Sequence, residues 1–386
     1  MVADAAAPAQ PPAAVQPSGR VVWAYPESIP EGGKPQRNCP AVDAAGRMYI
    51  AIANKVVAFD GGETSFNKVW SYETGGRILA SPIVAPDGTI RVHSEDEHLH
   101  TISRDGQRVG APIQVGEPLG WATPLVDADN ACWVCGYHGG LLRVNASEHA
   151  IYYRGKQRFD CTGVIHGGVL YVGAENACVY AIPLGESRGK NVWDHLADKG
   201  RTGWYINSAL ALASGPTIVA ASRDNRLYGF QQDGGKQWSV DLDGQVLGSP
   251  IVGADDSVYV GMSISDGRER PRGCLVRVDG LSHKIRWRYD TDAPIESTPV
   301  LGDDGVVYFG DNDGYIHAVD EDGKQRWTEQ VEAGVRSPGA IPSGGKVLFG
   351  LENGRFIALR CDSQSLRGGA WAKYLGNAAQ TASPVD

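Results

Sequence analysis

Residues 80–92 read ASPIVAPDGTIRV, and the same pattern returns as GSPIVGADDSVYV at residues 248–260. Each copy has a hydroxyl residue and a proline before a short apolar run, then a turn that contains Gly or Asp, then a second apolar run. Apolar runs of this length, bounded by Gly, Pro and Asp, predict two β-strands joined by a tight turn. The recurrence indicates that the chain is built from repeated β-modules.

The repeat unit can be located by a Pro or Gly that follows Ser, Thr or Cys. This pair marks Pro40, Pro82, Pro124, Gly163, Pro250, Pro299, Pro338 and Pro384. Most intervals are 39 to 49 residues long, and the one of 87 residues contains a further unit at residues 207–222. A period of about 40 to 45 residues is that of a four-stranded propeller blade. The pattern gives eight complete units and the beginning of a ninth.

The unit at residues 297–327 shows the expected strands most clearly. Three short apolar strands, STPVLG, VVYFG and YIHAVD, are separated by DDG and DNDG turns, and EDGKQRW leads into a fourth strand. One such sheet leaves two apolar faces uncovered, so the units must stack around an axis. We therefore predict an all-β fold, an eight-bladed β-propeller of four-stranded antiparallel blades, formed by residues 19–386 as a single domain. Residues 1–18 are rich in Ala and Pro and are predicted to be a disordered leader.

A ring of blades must be closed between its first and last members, and both ends of the chain supply material for this. RVVWAYPE at residues 20–27 is typical of an outer strand, yet no blade precedes it. Residues 369–386 contain a second candidate outer strand and the start of an inner one. We expect both terminal segments to close the propeller in the last blade. The sequence leaves open which of them provides its outer strand.

A finer signature connects the third and fourth strands of several units. It reads AFDGGETSFNKVW at 58–70, GFQQDGGKQW at 229–238, RVDGLSHKIRW at 277–287 and AVDEDGKQRW at 318–327. This pattern resembles the repeat of the quinoprotein (PQQ-like) propeller superfamily over residues 20–384. The superfamily includes PQQ-dependent alcohol dehydrogenases and the propeller lipoprotein of the outer-membrane β-barrel assembly machine. Its outer-strand tryptophans, which we expect to fill the gaps between blades, correspond here to Trp70, Trp193, Trp238, Trp287 and Trp327.

The resemblance also implies what a quinoprotein enzyme would need. Such dehydrogenases hold PQQ with a Ca²⁺ ion bound by a Glu, Asn and Asp set, and they place a disulfide between adjacent cysteines over the cofactor. This sequence has no adjacent cysteines and no convincing match to that set. The pair Cys132 and Cys135 lies in a predicted strand, where residues three apart point to opposite faces, so it should pack and not bind a metal. We expect no cofactor, neither PQQ nor Ca²⁺.

Charge and composition exclude some partners. The net charge of −9 argues against a nucleic-acid surface, because phosphate binding requires clustered Lys and Arg. No apolar run approaches the ~20 residues of a membrane-spanning helix. The localisation stays open, since the family resemblance suggests the periplasm, whereas seven scattered cysteines suggest a reducing compartment such as the cytoplasm.

One face of a propeller carries the connections between strands two and three and between successive blades, and its loops converge on a central funnel. Two long loops, residues 189–207 and 262–273, fall on this face, and long loops on a rigid scaffold are often functional. Their candidate interface residues are Trp204, Tyr205, Arg268, Arg270 and Arg272. The residues two places before the Ser, Thr or Cys of each marker pair, or next to that position, should ring the funnel, and Leu79 and Leu247 are among them. The candidate ligand-binding residues among them are Arg37, Trp121, Asp160, Asn207, Glu296 and Arg336.

Two functional hypotheses follow. The first is a non-catalytic scaffold that binds a protein, a peptide or a small polar ligand through the loop-rich face, because the repeat is intact and the quinone chemistry is missing. The alternative is an enzyme that uses the central funnel, either a quinoprotein-type oxidoreductase or a lyase, isomerase or hydrolase acting on a small polar substrate. The fold alone does not choose between them.

Overall fold

The computed structural model describes residues 20–26, 35–62, 65–115, 122–136, 140–145, 149–154, 158–159, 161–184, 200–215, 217–342, 344–369 and 371–377. These residues form antiparallel sheets arranged as the eight blades of a β-propeller, as predicted. The described part of the chain contains no helix, and hence none that could span a membrane.

The first four blades follow one another along the chain, each running from the axis outwards. Blade one comprises β2 (Ala41–Val42), β3 (Met48–Ile52), β4 (Lys55–Gly61) and β5 (Phe66–Glu73). Blade two comprises β6 (Ile83–Val84), β7 (Ile90–His93), β8 (His98–Ile102) and β9 (Ile113–Gln114). Blade three comprises β10 (Leu125–Val126), β11 (Cys132–Cys135), β12 (Gly140–Val144) and β13 (His149–Arg154). Blade four shows β14 (Val164–His166), β15 (Val169–Ala174) and β16 (Cys178–Pro183).

The remaining blades repeat this order, with an addition in blade six and a closure in blade eight. Blade five comprises β17 (Ala211–Ala213), β18 (Thr217–Ser222), β19 (Arg226–Phe230) and β20 (Lys236–Asp241). Blade six comprises β22 (Ile251–Val252), β23 (Val258–Ile264), β24 (Arg272–Val278) and β25 (Ile285–Thr291), with the short β21 (Gln245–Val246) added to β23. Blade seven comprises β26 (Val300–Leu301), β27 (Val307–Gly310), β28 (Tyr315–Val319) and β29 (Gln325–Gln330). Blade eight comprises β30 (Lys346–Gly350), β31 (Phe356–Arg360) and β1 (Val21–Tyr25).

The N-terminal strand closes the ring, which settles the alternative that the sequence left open. β1 pairs antiparallel with β31 and so becomes the outer strand of blade eight. The indole of Trp23 also lies 5.1 Å from the rings of Phe59 and Phe66 in blade one, measured between ring centroids. β1 therefore joins the last blade to the first through both main-chain pairing and aromatic contacts.

The C-terminal segment takes a different path, and the expectation that it forms another outer strand is wrong for the described residues. Residues 371–377, here called the channel segment, run along the inner strands, where Val252 N donates to Trp371 O at 3.0 Å and Leu301 N donates to Ala372 O at 2.7 Å. Tyr374 then reaches the inner residues of blades three and four. The segment thus crosses the central channel. The predicted inner strand at 382–386 lies outside the described residues.

The repeated hydroxyl residue has a structural role around the axis. Cys39 N donates to Ser81 Oγ at 2.8 Å, Ser81 N to Thr123 Oγ1 at 3.2 Å, and Thr123 N to Thr162 Oγ1 at 2.8 Å. The same bonds link blades five, six and seven through Ala209, Ser249 and Thr298. Because these groups are buried, each hydroxyl satisfies a backbone N–H of the preceding blade that would otherwise lack a partner. The recurring hydroxyl residue therefore links neighbouring blades by a hydrogen bond.

The tryptophans of the outer strands bind the next blade, as the sequence predicted. Trp70 Nε1 donates to Arg104 O and Trp287 Nε1 donates to Glu321 O, both at 2.8 Å. The glycine of the neighbouring DG turn packs on each indole, since a Cβ at Gly106 would lie 2.7 Å from Trp70. Gly106 also has a φ of 82°, which favours glycine. Trp193 lies outside the described residues.

The two cysteines of the C-x-x-C pattern face opposite sides of β11. Cys132 packs in the cluster between blades two and three, whereas Cys135 packs in the cluster that continues into blade four. Burial raises the pKa of both thiols to about 12, so they stay protonated and cannot easily act as metal ligands. The prediction that this pair packs is confirmed.

A buried histidine should make the stability depend on pH. His93 Nε2 lies 2.8 Å from Ala122 O, and burial lowers the pKa of His93 from 6.5 to about 4. Above pH 6.5 the folded and unfolded states both hold a neutral ring. As the pH falls from 6.5 towards 4, only the unfolded state takes up the proton, so stability is lost, by about 3 kcal/mol in total.

His93→Gln keeps an N–H donor but does not titrate, so we expect its stability to fall less over this range. The measurement is the free energy of unfolding in urea at several pH values between 7 and 4. The pKa of His100 is also lowered by burial, but its contribution is present in both proteins and cancels in the difference. Parallel profiles for the two proteins would contradict the assignment.

Candidate functional site

A funnel of about 320 Å³ opens at the axis on the face that carries the turns between the second and third strands of the blades. Its wall brings together six of the eight residues predicted to ring it. These are Arg37, Leu79, Asn207, Leu247, Glu296 and Arg336. The other two, Trp121 and Asp160, lie outside the described residues. That these side chains bind a ligand stays a prediction.

The charged side chains of blades seven, eight and one at the funnel form ion pairs with one another. Arg37 contacts Glu352 at 3.2 Å, and Arg336 contacts Glu296 and Glu352, each at 3.5 Å. Asn312 links the two ends, because its Nδ2 donates to Glu296 at 2.8 Å while its Oδ1 accepts from Arg336 Nε at 3.0 Å. Partly exposed ion pairs of this kind contribute about 0–1 kcal/mol each to stability. Their main effect is to fix the side chains in the wall and to balance the negative charge of both carboxylates with a nearby guanidinium.

Glu352 and Asn312 were not predicted from the sequence. Each is the second residue of a turn between the second and third strands of its blade, in DNDG and LENG. In sequence such residues are indistinguishable from ordinary tight-turn residues. The signal that could have found them is their equivalent position in successive blades, since residues at one position of every blade point to the same axis.

The channel segment closes the funnel from below. Tyr374 Oη lies 2.9 Å from Thr162 Oγ1 and 3.2 Å from Thr123 Oγ1, and burial raises the pKa of Tyr374 to about 12. Lys373 is also buried, and its Nζ donates to Pro40 O at 3.3 Å. Burial lowers the pKa of this lysine, and the nearby Cys39 opposes the shift. The funnel is therefore a blind pocket with a tyrosine floor.

Two aromatic side chains project from the rim beside the funnel. Trp204 and Tyr205 are 51% and 42% exposed, and their ring centroids lie 5.6 Å apart. Their backbone is held in place, because Trp204 O accepts from Thr202 Oγ1 at 2.6 Å and from Ser222 Oγ at 3.0 Å. Arg223 N donates to Tyr205 O at 2.9 Å. The two rings are thus exposed on a rigid support.

The second predicted loop is the tip of an extended hairpin in blade six, formed by β23 and β24. Arg272 bonds to Asp290 at 2.6 Å and to Asp266 at 3.0 Å, and Arg268 contacts Asp266 at 3.3 Å. Arg270 is exposed and forms no ion pair with any described residue. Of the three arginines predicted for an interface, Arg272 is therefore engaged in holding the hairpin, and Arg270 is the one available to a partner.

The eight blades, the DG–Trp contacts and the axial hydroxyl bonds define a PQQ-like β-propeller. The chain belongs to the family described as outer membrane protein assembly factor BamB. A model of that family matches residues 175–270 and 254–370, which together span half of the chain. No curated protein matches the sequence significantly.

Solved structures share the fold at low sequence identity. BamB from Moraxella catarrhalis is 15% identical with a TM-score of 0.65, over 85% of this chain and 95% of that one. A quinohemoprotein alcohol dehydrogenase from Comamonas testosteroni is 13% identical with a TM-score of 0.69, over 90% and 77%. A europium-containing methanol dehydrogenase is 13% identical with a TM-score of 0.63, over 86% and 84%. These similarities establish the fold alone, which assembly factors and dehydrogenases share.

The donor groups of the funnel can be compared with what a quinone held with a calcium ion requires. Within the described residues, no three His, Cys, Asp or Glu side chains converge in a way that could hold a metal. The carboxylates of Glu296 and Glu352 both face arginines, and no two of the seven cysteines form a disulfide. The donor groups of the described funnel residues do not fit that cofactor.

Proposed function

We propose that this protein is a non-catalytic scaffold, which holds a protein or peptide partner against the face that carries the funnel. The observation that supports it most directly is the pair Trp204 and Tyr205. Tryptophan and tyrosine are the residues most often found at the energetic centre of interfaces, and a rigid support reduces the entropy lost on binding. The exposed Arg270 on the same face adds a second contact of a type that interfaces favour.

The paired charges in the funnel favour this proposal over an enzyme. A carboxylate that acts as an acid or base in catalysis must reach the substrate. Glu296 and Glu352 instead contact Arg336, and Glu352 also contacts Arg37. The family description points to partners in the assembly of outer membrane proteins, and these are the first to test.

The cellular compartment of the protein depends on which partner it binds. A partner in outer membrane assembly would place the chain in the periplasm, whereas seven cysteines that form no disulfide fit a reducing environment. We propose the periplasm on the strength of the family, and fractionation of cells that express the full-length protein tests this directly.

The partner-binding proposal is tested by replacing both rim aromatics. A photo-crosslinking residue at position 205 should capture a partner from an extract of the source cells. Trp204→Ala with Tyr205→Ala should then weaken binding of that purified partner by at least about tenfold, because buried interface aromatics contribute about 2 kcal/mol or more. The matched control is Leu281→Ala, since Leu281 is 93% exposed in a turn on the opposite face. Equal affinities for the double variant and the control would refute the proposed face.

A further inference from the structure

One part of the funnel wall carries a cation that has no counter-ion among the described residues. Three arginines and one glutamate line the described part of the funnel. Arg37 and Arg336 contact glutamates, but Arg223 forms no ion pair with any described residue, and its Nε is buried without a hydrogen-bond partner. Leaving a charged donor buried and unpaired costs more than the ~1–3 kcal/mol of a neutral one. Such a group calls for an explanation, and a ligand is one.

An acceptor without a donor lies on the same wall. Asn207 belongs to the connection that leads into blade five, and Arg223 belongs to a turn of that blade. Asn207 Oδ1 is buried and has no hydrogen-bond partner. Asn38 Oδ1 is in the same condition on the wall of blade one, where Asn38 Nδ2 donates to Ala51 O at 3.0 Å and so fixes the orientation of the amide. Among the described residues of the funnel wall, the guanidinium of Arg223 and two amide oxygens therefore lack a partner.

We infer that the funnel binds an α-carboxylate that has an N–H group beside it, with Arg223 holding the carboxylate and Asn207 accepting from the N–H. The planar guanidinium matches a carboxylate, to which it can donate two parallel hydrogen bonds. An amide oxygen accepts and cannot donate, so its partner must be an N–H or O–H group. Free amino acids and the C-terminal residue of a peptide both carry this pair of groups.

The shape of the funnel agrees with a small or terminal ligand. A volume of about 320 Å³ suits one or two residues, and the floor at Tyr374 prevents a chain from passing through. A peptide could therefore enter only by its end. Capture of a terminal carboxylate is a known mode of peptide recognition. This inference does not depend on partner binding at Trp204 and Tyr205.

Three probes separate the chemistry and its source. N-acetyl-L-alanine has the groups of a peptide C-terminus, L-alanine those of a free amino acid, and N-acetyl-L-alaninamide lacks the carboxylate. We expect the first or second to bind saturably in ligand-detected NMR and calorimetric titrations, and the amide to bind at least about tenfold more weakly. Preference for the acetylated acid identifies a peptide end, and preference for L-alanine identifies a free amino acid.

Arg223→Gln should weaken binding of the preferred acid by at least about tenfold. The matched control is Arg226→Gln, because Arg226 lies three residues further on and pairs with Asp241 at the surface. Asn207→Leu is a second variant that keeps the test available if Arg223→Gln does not fold, which circular dichroism shows. The inference is overturned if the amide binds as well as the acids, if no probe binds below about 10 mM, or if neither variant differs from the control. Unchanged binding in the Trp204/Tyr205 double variant would show that the two sites are independent.

Discussion

A chain that begins at residue 27 should lose most of its resistance to thermal and urea unfolding, with a loss of at least about 4 kcal/mol. It lacks β1, so β31 becomes an unpaired edge, and the rings of Phe59 and Phe66 lose the contact with Trp23. Tyr25, whose ring lies 4.9 Å from that of Phe59, is lost with it. The junction between blades eight and one then loses its strand pairing, although the bond from Gln36 N to Leu351 O at 3.1 Å and the contact of Arg37 with Glu352 remain.

The controls for this deletion separate the strand from the residues before it. A chain that begins at residue 20 keeps β1, and we expect its stability to match that of the full-length protein. Trp23→Ala in the full-length chain should cost about 2–4 kcal/mol, which is the usual range for truncating a large, largely buried aromatic residue. If the chain that begins at residue 27 unfolds at the same temperature as the one that begins at residue 20, β1 does not close the ring in solution.

A chain that ends at Gly368 should have an open channel and a reactive Cys39. The channel segment contributes the buried side chains of Trp371, Lys373 and Leu375, so its loss removes several packing contacts and should cost about 3–5 kcal/mol. Burial raises the pKa of the Cys39 thiol. Once water reaches it, that pKa should fall towards its ordinary value, and a thiol reagent should modify it at a rate that depends on thiolate content.

Mass spectrometry of the labelled peptides measures this reaction at Cys39. Lys373→Met keeps the segment in place and provides the comparison. We expect this variant to be more stable than the wild type by about 1–2 kcal/mol, because no described carboxylate pairs with the buried ammonium. Its Cys39 should stay unreactive. An unreactive Cys39 in the truncated chain would show that the segment does not cover the channel.

The features that the sequence predicted are those that depend on neighbours in the repeat. The number of blades follows from the number of repeats, and the packing of Trp70 between blades follows from the recurrence of tryptophan at the outer-strand position. The residues around the funnel were found in the same way, since the position two places before the Ser, Thr or Cys of each marker pair recurs around the axis. In each case a local sequence pattern that recurs in every blade determines where the residue lies in the propeller.

The features that were missed depend on contacts distant in sequence. Lys373 reaches Pro40 from the other end of the chain, and nothing in the repeat specifies that path. Arg223 and Glu352 stand at equivalent turns, but only the closed ring determines that Glu352 has charged partners among the described residues and that Arg223 has none. In blade eight the marker pair also shifts by one residue relative to the hydrogen bonds: it is Ser337–Pro338 there, whereas in blade seven the pair Thr298–Pro299 follows Ser297. Ser337 takes the place of Ser297, as each hydroxyl accepts a backbone N–H 13 residues further on.

The pairing of β1 with β31 has a consequence for biosynthesis. β1 (Val21–Tyr25) emerges from the ribosome before every other described strand, whereas its partner (Phe356–Arg360) follows only after the strands of seven blades. At a synthesis rate of about 5–20 residues per second, this apolar strand would lack its partner strand for tens of seconds. During that interval its free edge could pair wrongly or aggregate. Newly made chains should therefore depend on a holding chaperone until the final blade has left the exit tunnel.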